Sequence, residues 1–369
     1  MNLTIAKDQI LSGLQAVQNV VSTRTTLPIL SNVLLRAEGD RLELTATDLD
    51  VTICCSVEAK VKKGGASTVP VKKLFGISRE LASAEIDLEV DDKNVCAISA
   101  GPSFYKINGL SAEEFPPIPK FKEEKKVVLP QATVKSMFRK TAFAMSTDES
   151  RYVLNGIFLS LKDHKVTMVA TDGRRLALVE EEADVNDQSQ GEFIIPAKAV
   201  AELNRLLQEK GEVEIKFTDN QAAFTLKDEK GSSILIITKL IEGNYPNYRQ
   251  VIPGETKERV PFMREELLHA LKRAEIMTSE KANSVKLAFG KNTLAITANS
   301  PEVGEARESI AINYKGKEIA IAFNPKYMID PLNALADDEV YLELIDELSP
   351  GVLKIKGPFL YVVMPMRLS

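Results

Sequence analysis

Two aspartates stand in matching surroundings: Asp48 ends Thr45-Ala46-Thr47-Asp48, and Asp172 ends Val169-Ala170-Thr171-Asp172. A repeated pair of carboxylates could supply the general acid and base of a hydrolase. Their setting favours a different role. Each closes an alternating apolar run at a predicted strand-to-turn junction, where Asp commonly accepts hydrogen bonds from nearby backbone. A third occurrence of the landmark, Ile296-Thr297-Ala298-Asn299, carries Asn instead. A residue that recurs with every repeat reads as an architectural device rather than a catalyst. The two histidines, His164 and His269, fall in a predicted turn and on a predicted helix of different repeats, which suggests neither a paired metal site nor a triad. The three cysteines make no disulfide framework. Cys54 and Cys55 are adjacent, with no other Cys or His nearby, and read as small strand residues in a reducing cytoplasm. The chain also lacks a Walker loop, a dinucleotide-binding glycine pattern and a Gly-x-Ser-x-Gly elbow. No enzyme, metal or cofactor is expected.

Basic side chains on helices are the other candidates, and the chemistry open to them is phosphate binding. The predicted helix windows 131–145 and 71–82 carry +3 and +2, from Lys135, Arg139 and Lys140, and from Lys72, Lys73 and Arg79 against Glu80. The windows 7–20, 197–209, 263–275 and 325–336 are neutral. The helices thus total +5 in a chain of −5, which leaves −10 for everything else. Ordinary solvated helix faces would give such an excess. So would helices that share one face toward an anion, with salt-sensitive, sequence-independent attraction to phosphate. No aromatic residues interleave with the basic positions, so stacking on single strands is not suggested.

The elements that must position these residues come in three copies. A strand ending in Pro and leading into an apolar-periodic stretch occurs at Pro70, Pro196 and Pro325, spaced 126 and 129 residues apart. The aspartate landmark recurs at nearly the same period, 124 and 127 residues. Repeats of this size are domains with their own cores rather than solenoid units. Each copy is expected to open with an amphipathic helix, at Lys7 to Val21, Gln131 to Met145 and Arg264 to Met277, because apolar residues recur at i, i+3, i+4 and i+7. A hairpin such as Val33 to Thr45 follows, then the strand ending at the Pro landmark and a second helix, at about Val71 to Ala82, Ala197 to Glu209 and Lys326 to Ala336. Pro331 should kink the last helix or shorten it. A meander of strands closes each copy. The order implies α+β domains over 1–126, 127–253 and 254–369, with two helices on one face of antiparallel sheets. Composition is that of a soluble globular protein, 44% apolar and 27% charged. No apolar run is long enough for a membrane helix, and the N-terminus has no signal-peptide pattern, so a cytoplasmic protein is expected.

Five motifs then become recognisable: Thr26-Leu27-Pro28-Ile29-Leu30, Arg151-Tyr152-Val153-Leu154-Asn155-Gly156, Ala170-Thr171-Asp172-Gly173-Arg174-Arg175-Leu176-Ala177, Lys239-Leu240-Ile241-Glu242-Gly243-Asn244-Tyr245-Pro246 and Tyr361-Val362-Val363-Met364-Pro365-Met366-Arg367-Leu368. In these, and along its full length, the chain resembles the bacterial sliding clamp, the beta subunit of DNA polymerase III. The resemblance implies three tandem copies of a DNA-clamp domain and a head-to-tail homodimer that closes a ring around double-stranded DNA, with helices lining the hole. It implies a processivity factor for the replicative DNA polymerase, with clamp loader and repair polymerases as further partners through short peptides, and no membrane. The conventional alternative is a monomeric, sequence-independent DNA-binding protein that does not encircle DNA.

Site residues follow from the same resemblance. DNA-facing positions are Arg24, Lys72, Lys73, Lys198 and Arg205, to which the helix charges add Lys135 and Arg139. The partner-peptide pocket is implied at Leu154, Thr171, Gly173, Arg174, Arg175, Leu176, Pro246, Val251, Asn324, Tyr327, Leu348, Val362, Val363, Met364, Pro365, Met366, Arg367 and Leu368. These would supply an apolar slot with methionine adaptability and a few polar anchors. The dimer contact is implied to join Tyr105 and Ile107 of one subunit to Ile276 and Met277 of the other. Arg174 and Gln250 depart from well-known members, which carry His and Arg there.

Overall fold

The structure, a computed structural model, describes residues 1–21, 27–121, 125–185, 189–280 and 283–367. One topological rule is written three times: strand, helix, three strands, and then the same again. The first copy adds one short strand, Lys60–Lys63. The helices are α1 (Lys7–Val17), α2 (Val71–Glu80), α3 (Gln131–Thr141), α4 (Ala197–Leu206), α5 (Arg264–Glu275) and α6 (Pro325–Ala334). A strand rather than a helix opens each copy, at Asn2–Ala6, Lys125–Pro130 and Glu258–Met263. Each is short and pairs with the strand after the copy's second helix, so its stability comes from chain that is distant in sequence.

Several helices stop earlier than their apolar stripes predict. The first passes into a 3₁₀ turn at Gln18–Val20, and α3 into another at Ala142–Ala144. In α3 the hydroxyl of Thr141 turns back to donate to the carbonyl of Met137 at 2.8 Å, competing with the helical ladder. Helix α6 likewise ends early, at Ala334 rather than Ala336, but it runs through Pro331 instead of stopping there.

The chain forms two compact units. The first comprises Met1–Lys135 and Lys198–Leu240. It holds a five-stranded sheet in the order Lys60–Lys63, Asn2–Ala6, Glu85–Val90, Val95–Ala100, Ser103–Asn108. Its eight-stranded sheet runs Lys125–Pro130, Glu212–Phe217, Gln221–Lys227, Ser233–Lys239, Val51–Glu58, Arg41–Thr47, Asn32–Glu38, Gly65–Pro70. Ile10, Leu14 and Val17 of α1 are fully buried where that helix packs on α2 and on strand Val51–Glu58.

The second unit comprises Ser136–Ala197 and Ile241–Ser369. Its eight-stranded sheet runs Gly191–Pro196, Gly156–Lys162, Lys165–Thr171, Arg175–Glu182, Phe359–Val363, Gly351–Lys354, Glu339–Leu344, Glu258–Met263. A four-stranded sheet runs Gly304–Ala311, Thr293–Ser300, Val285–Gly290, Ile319–Phe323. Leu267, Leu271 and Ala274 of α5 are fully buried, and α5 packs on α6, whose Leu332 is equally enclosed.

Each eight-stranded sheet therefore crosses from one copy to the next by an antiparallel seam. In the first unit strand Ser233–Lys239 pairs with Val51–Glu58, and in the second Phe359–Val363 pairs with Arg175–Glu182. The repeat reading assigns every strand to its own copy and misses this continuity, because the pairing partners lie about 180 residues apart.

Candidate functional site

The seam of the second unit carries an apolar cluster. Pairing places Leu176 opposite Val362 and Arg175 opposite Val363. Val169, Leu176 and Val362 form a buried cluster, and Phe158, Leu178, Tyr245, Tyr248, Ile252 and Leu360 pack against it partly buried. The rings of Phe158 and Tyr245 stack at 5.1 Å. Burial pushes the Tyr245 phenol up, so it stays a neutral donor toward the carbonyl of Val169. Large apolar side chains remain exposed in this unit at Tyr152, Val251, Leu348, Met364 and Met366, and Leu348 is 75% accessible. The tail is held by backbone: Met364 N–H donates to the carbonyl of Arg174, and Met366 N–H to that of Ala322.

Polar residues of the same unit form one network around Arg175, which is 7% exposed. Its Nε donates to Asp172 at 3.0 Å, one terminal nitrogen to Asp330 at 2.7 Å, and the other to the carbonyl of Phe143 at 2.6 Å. The guanidinium lies over the Tyr327 ring, 4.5 Å from its centroid. A buried cation requires such pairing, and the planar fork of Arg provides it. Asp172 also accepts from the backbone N–H groups of Arg174 and Arg175, while Thr171 donates to the Arg175 carbonyl. Gly173 takes the left-handed conformation, φ +85°, that this turn requires.

Of the residues implied for the pocket, Thr171, Gly173, Arg174, Arg175, Leu176, Val362, Val363 and Met364 are brought together by the strand pairing and turn just described. Asn324 caps α6 by accepting from Lys326 N–H, and Tyr327 follows on its first turn. Leu154 is buried at the end of a 3₁₀ segment, and Pro246 and Val251 are exposed near Tyr248. Pro365 is half-buried and Arg367 exposed; Leu368 lies outside the described residues. Sequence reasoning missed Asp330, Phe143, Phe158 and Tyr248. Only the helical spacing of Lys326 and Asp330, ion-paired at 3.0 Å, left a local trace.

The first unit repeats this seam with different side chains. Lys239 N–H donates to the Asp50 carbonyl as Met364 N–H does to Arg174, both at 2.9 Å. Asp48 caps its turn as Asp172 does, accepting from Asp50 and Val51 N–H. Leu49 holds the position of Gly173 at φ +81°. Here, though, ion pairs Lys198–Asp48 and Lys239–Asp50 cover the turn, and Val51 replaces the buried arginine. The Asp-turn reading thus describes both copies. In the third, Asn299 continues a strand opposite Glu305. Among the described residues no cluster of three or more His, Cys, Asp or Glu could hold a metal, and no helix is long and apolar enough to cross a membrane.

The candidate DNA-facing residues divide into two groups. Lys72 and Lys73 of α2 and Arg139 of α3 are exposed and form no ion pair among the described residues. Lys135 pairs with Glu209 at 2.7 Å and Lys198 with Asp48. Arg205 donates to the carbonyls of Gln15 and Ala16 at 2.9 and 2.7 Å, satisfying the free end of α1, and pairs with Glu202. Arg24 lies outside the described residues. Of the implied dimer residues, Tyr105 is exposed and Ile107 buried on the edge strand Ser103–Asn108, beside the exposed Phe104. Ile276, 73% exposed, and Met277 follow α5, whose Arg273 grips Glu308 of the edge strand Gly304–Ala311 through two bonds.

Known proteins share this arrangement throughout. Residues 1–119, 128–247 and 249–367 match the N-terminal, central and C-terminal domains of the DNA polymerase III beta subunit. The chain is 36% identical over 368 residues to the beta sliding clamp of Chlamydia muridarum, covering 100% of this chain and 99% of that relative, and 36% identical over 375 residues to that of Proteus mirabilis, covering both chains completely. Its fold superposes with a TM-score of 0.94 on the Bartonella birtlesii sliding clamp bound to griselimycin, at 34% identity and full coverage of both chains. The Bacillus subtilis clamp structure gives 0.94 at 29% identity, again with full coverage of both. The chain belongs to the DNA polymerase III beta subunit family of sliding clamps, processivity factors of DNA replication, and consists of three tandem clamp domains.

Proposed function

We propose that two copies of this chain close head to tail into a ring around duplex DNA, with domains over 1–126, 127–253 and 254–369. One observation carries this reading. The strand types that meet at both internal seams recur once more as unpaired edges, Gly304–Ala311 in the third copy and Ser103–Asn108 in the first. A seam of the same kind between two chains uses each edge once per subunit, and such a heterologous contact closes when its rotation permits. Three near-equal domains in each of two chains make six around the ring.

The register of that third seam follows from the other two. Val51 faces Thr238 and Arg175 faces Val363. Glu305 occupies the corresponding position in its hairpin, and Ile107 corresponds to Thr238 and Val363 in its sheet. Glu305 should therefore face Ile107 of a second copy, Ala306 should face Lys106, and Arg307 should face Tyr105. Lys106 also brings a cation to an edge carrying Glu305 and Glu308.

Among the described candidates, Lys72, Lys73 and Arg139 form no ion pair and are free to meet phosphates; Lys135, Lys198 and Arg205 are partly spent within the chain. Weak contacts suit a protein held by topology, since tight binding would brake sliding. The apolar cluster of the second unit, with the exposed side chains near it, is proposed to form a cleft that takes short apolar peptides of the replicative polymerase, the clamp loader and repair polymerases in the cytoplasm. Griselimycin, bound by the Bartonella birtlesii clamp, is the ready probe for it.

Loading onto nicked circular DNA followed by linearisation tests the reading. Retention on the circle with release from free ends is expected. Equal retention on open linear DNA, from a monomer with steep salt dependence, would support a conventional DNA-binding protein instead.

A further inference from the structure

Asp330 lies on α6, across the seam from Arg175 and 155 residues away in the chain. One of its carboxylate oxygens holds Arg175 at 2.7 Å, and the other accepts from Lys326 at 3.0 Å. Arg175 is the group that lies over Tyr327, and Tyr327 belongs to the same turn of α6 as Asp330. The Tyr327 ring is half-buried, and its hydroxyl has no hydrogen-bond partner among the described residues. The turn is anchored a second time, because Tyr361 donates to the Tyr327 carbonyl.

We propose that Asp330 is a positioning residue for the peptide cleft: by clamping Arg175 it sets where the Tyr327 ring stands. The proposal rests on the pocket reading above. In this role Asp330 acts through Arg175 rather than on the peptide. A neutral isostere keeps the volume and the hydrogen-bonding shape but loses the charge that fixes a buried cation. Arg175 then has Asp172 as its sole carboxylate partner and is free to tilt toward it, away from Tyr327.

Calorimetric titration of the full-length dimer with griselimycin, well below its unfolding temperature, tests this. Asp330→Asn should weaken binding by roughly three- to thirtyfold, and Asp330→Glu should restore part of the loss. In a Tyr327→Ala background, Asp330→Asn should have little further effect, since both changes act on one ring. Unchanged griselimycin affinity in Asp330→Asn, with only a lowered unfolding temperature, would overturn the proposal, as would full additivity with Tyr327→Ala. If Asp330→Asn does not fold, Arg175→Lys serves in its place, keeping the charge while losing the planar fork, with the same expected and overturning results. Failure of the unsubstituted protein to bind griselimycin would refute the pocket reading itself, and the proposal with it.

Discussion

The hydroxyl of Tyr361 donates to the carbonyl of Tyr327 at 2.6 Å, and Pro331 is the reason that carbonyl is free. A proline has no N–H for the carbonyl four residues earlier, so an interior proline normally costs a helix about 3 kcal/mol. Here a fully buried side chain from strand Phe359–Val363 supplies the missing donor. Burial pushes the Tyr361 phenol up, which keeps it protonated and able to donate. The proline thus ties α6 to the seam that carries the apolar cluster.

Tyr361→Phe should cost about 1–3 kcal/mol, the usual penalty for stranding a buried carbonyl, read as a lower urea midpoint. In a Pro331→Ala background the cost should shrink, because residue 331 regains an N–H that can reach Tyr327. Equal costs in both backgrounds would mean that the phenol contributes through packing alone.

The two internal seams should respond differently to substitution. Asp50→Asn removes an ion pair whose two members are more than half exposed, and should change stability by less than about 1 kcal/mol, vanishing in high salt. Arg175→Met leaves Asp172 and Asp330 without their buried cation and should cost about 3–5 kcal/mol, with little salt dependence. Denaturant unfolding at low and high salt measures both; a salt-sensitive Arg175 variant would contradict the buried network.

Phosphate contact and domain stapling separate in the same manner. Lys72→Ala with Lys73→Ala should lower the salt slope of DNA binding by about two, roughly 0.9 per lost contact, and leave the unfolding midpoint nearly unchanged. Arg205→Ala should instead lower the midpoint, because the end of α1 loses its donors to Gln15 and Ala16. A stability loss confined to the lysine pair would invert this assignment.

Much of this fold was legible where the signal is local. The alternation Leu42-Glu43-Leu44-Thr45 marks a strand, the stripe Ile10, Leu14, Val17 marks a helix, and Asp48 and Asp172 mark turns that their own carboxylates cap. The seams were not legible, because strand Phe359–Val363 has buried residues on both faces and nothing in it names Arg175–Glu182 as its partner. The same limit governs the candidate site. Leu176 and Val362 look like any core residues, and Arg175 looks like a surface cation until Asp330 arrives from 155 residues away. Family resemblance supplied the candidate pocket residues; sequence periodicity alone did not.

The predicted intersubunit register gives the sharpest test of the ring. Directly opposed residues of an antiparallel pair lie about 4.5–5.5 Å apart at Cα, inside the range a disulfide spans. Lys106→Cys with Ala306→Cys should therefore crosslink two chains under mild oxidation, and only in the dimer. Native thiols should interfere little: Cys54, Cys55 and Cys96 are buried, and burial pushes them up to about 11, 12 and 11, far from the reactive thiolate. Because each chain offers both edges, complete reaction gives two bonds per dimer and a covalent circle that resists denaturation. Moving one cysteine by a single residue, to Glu305, turns its side chain to the opposite face of the sheet and should abolish the crosslink. Efficient crosslinking of the shifted pair, with none of the Lys106–Ala306 pair, would show that the third seam does not copy the other two.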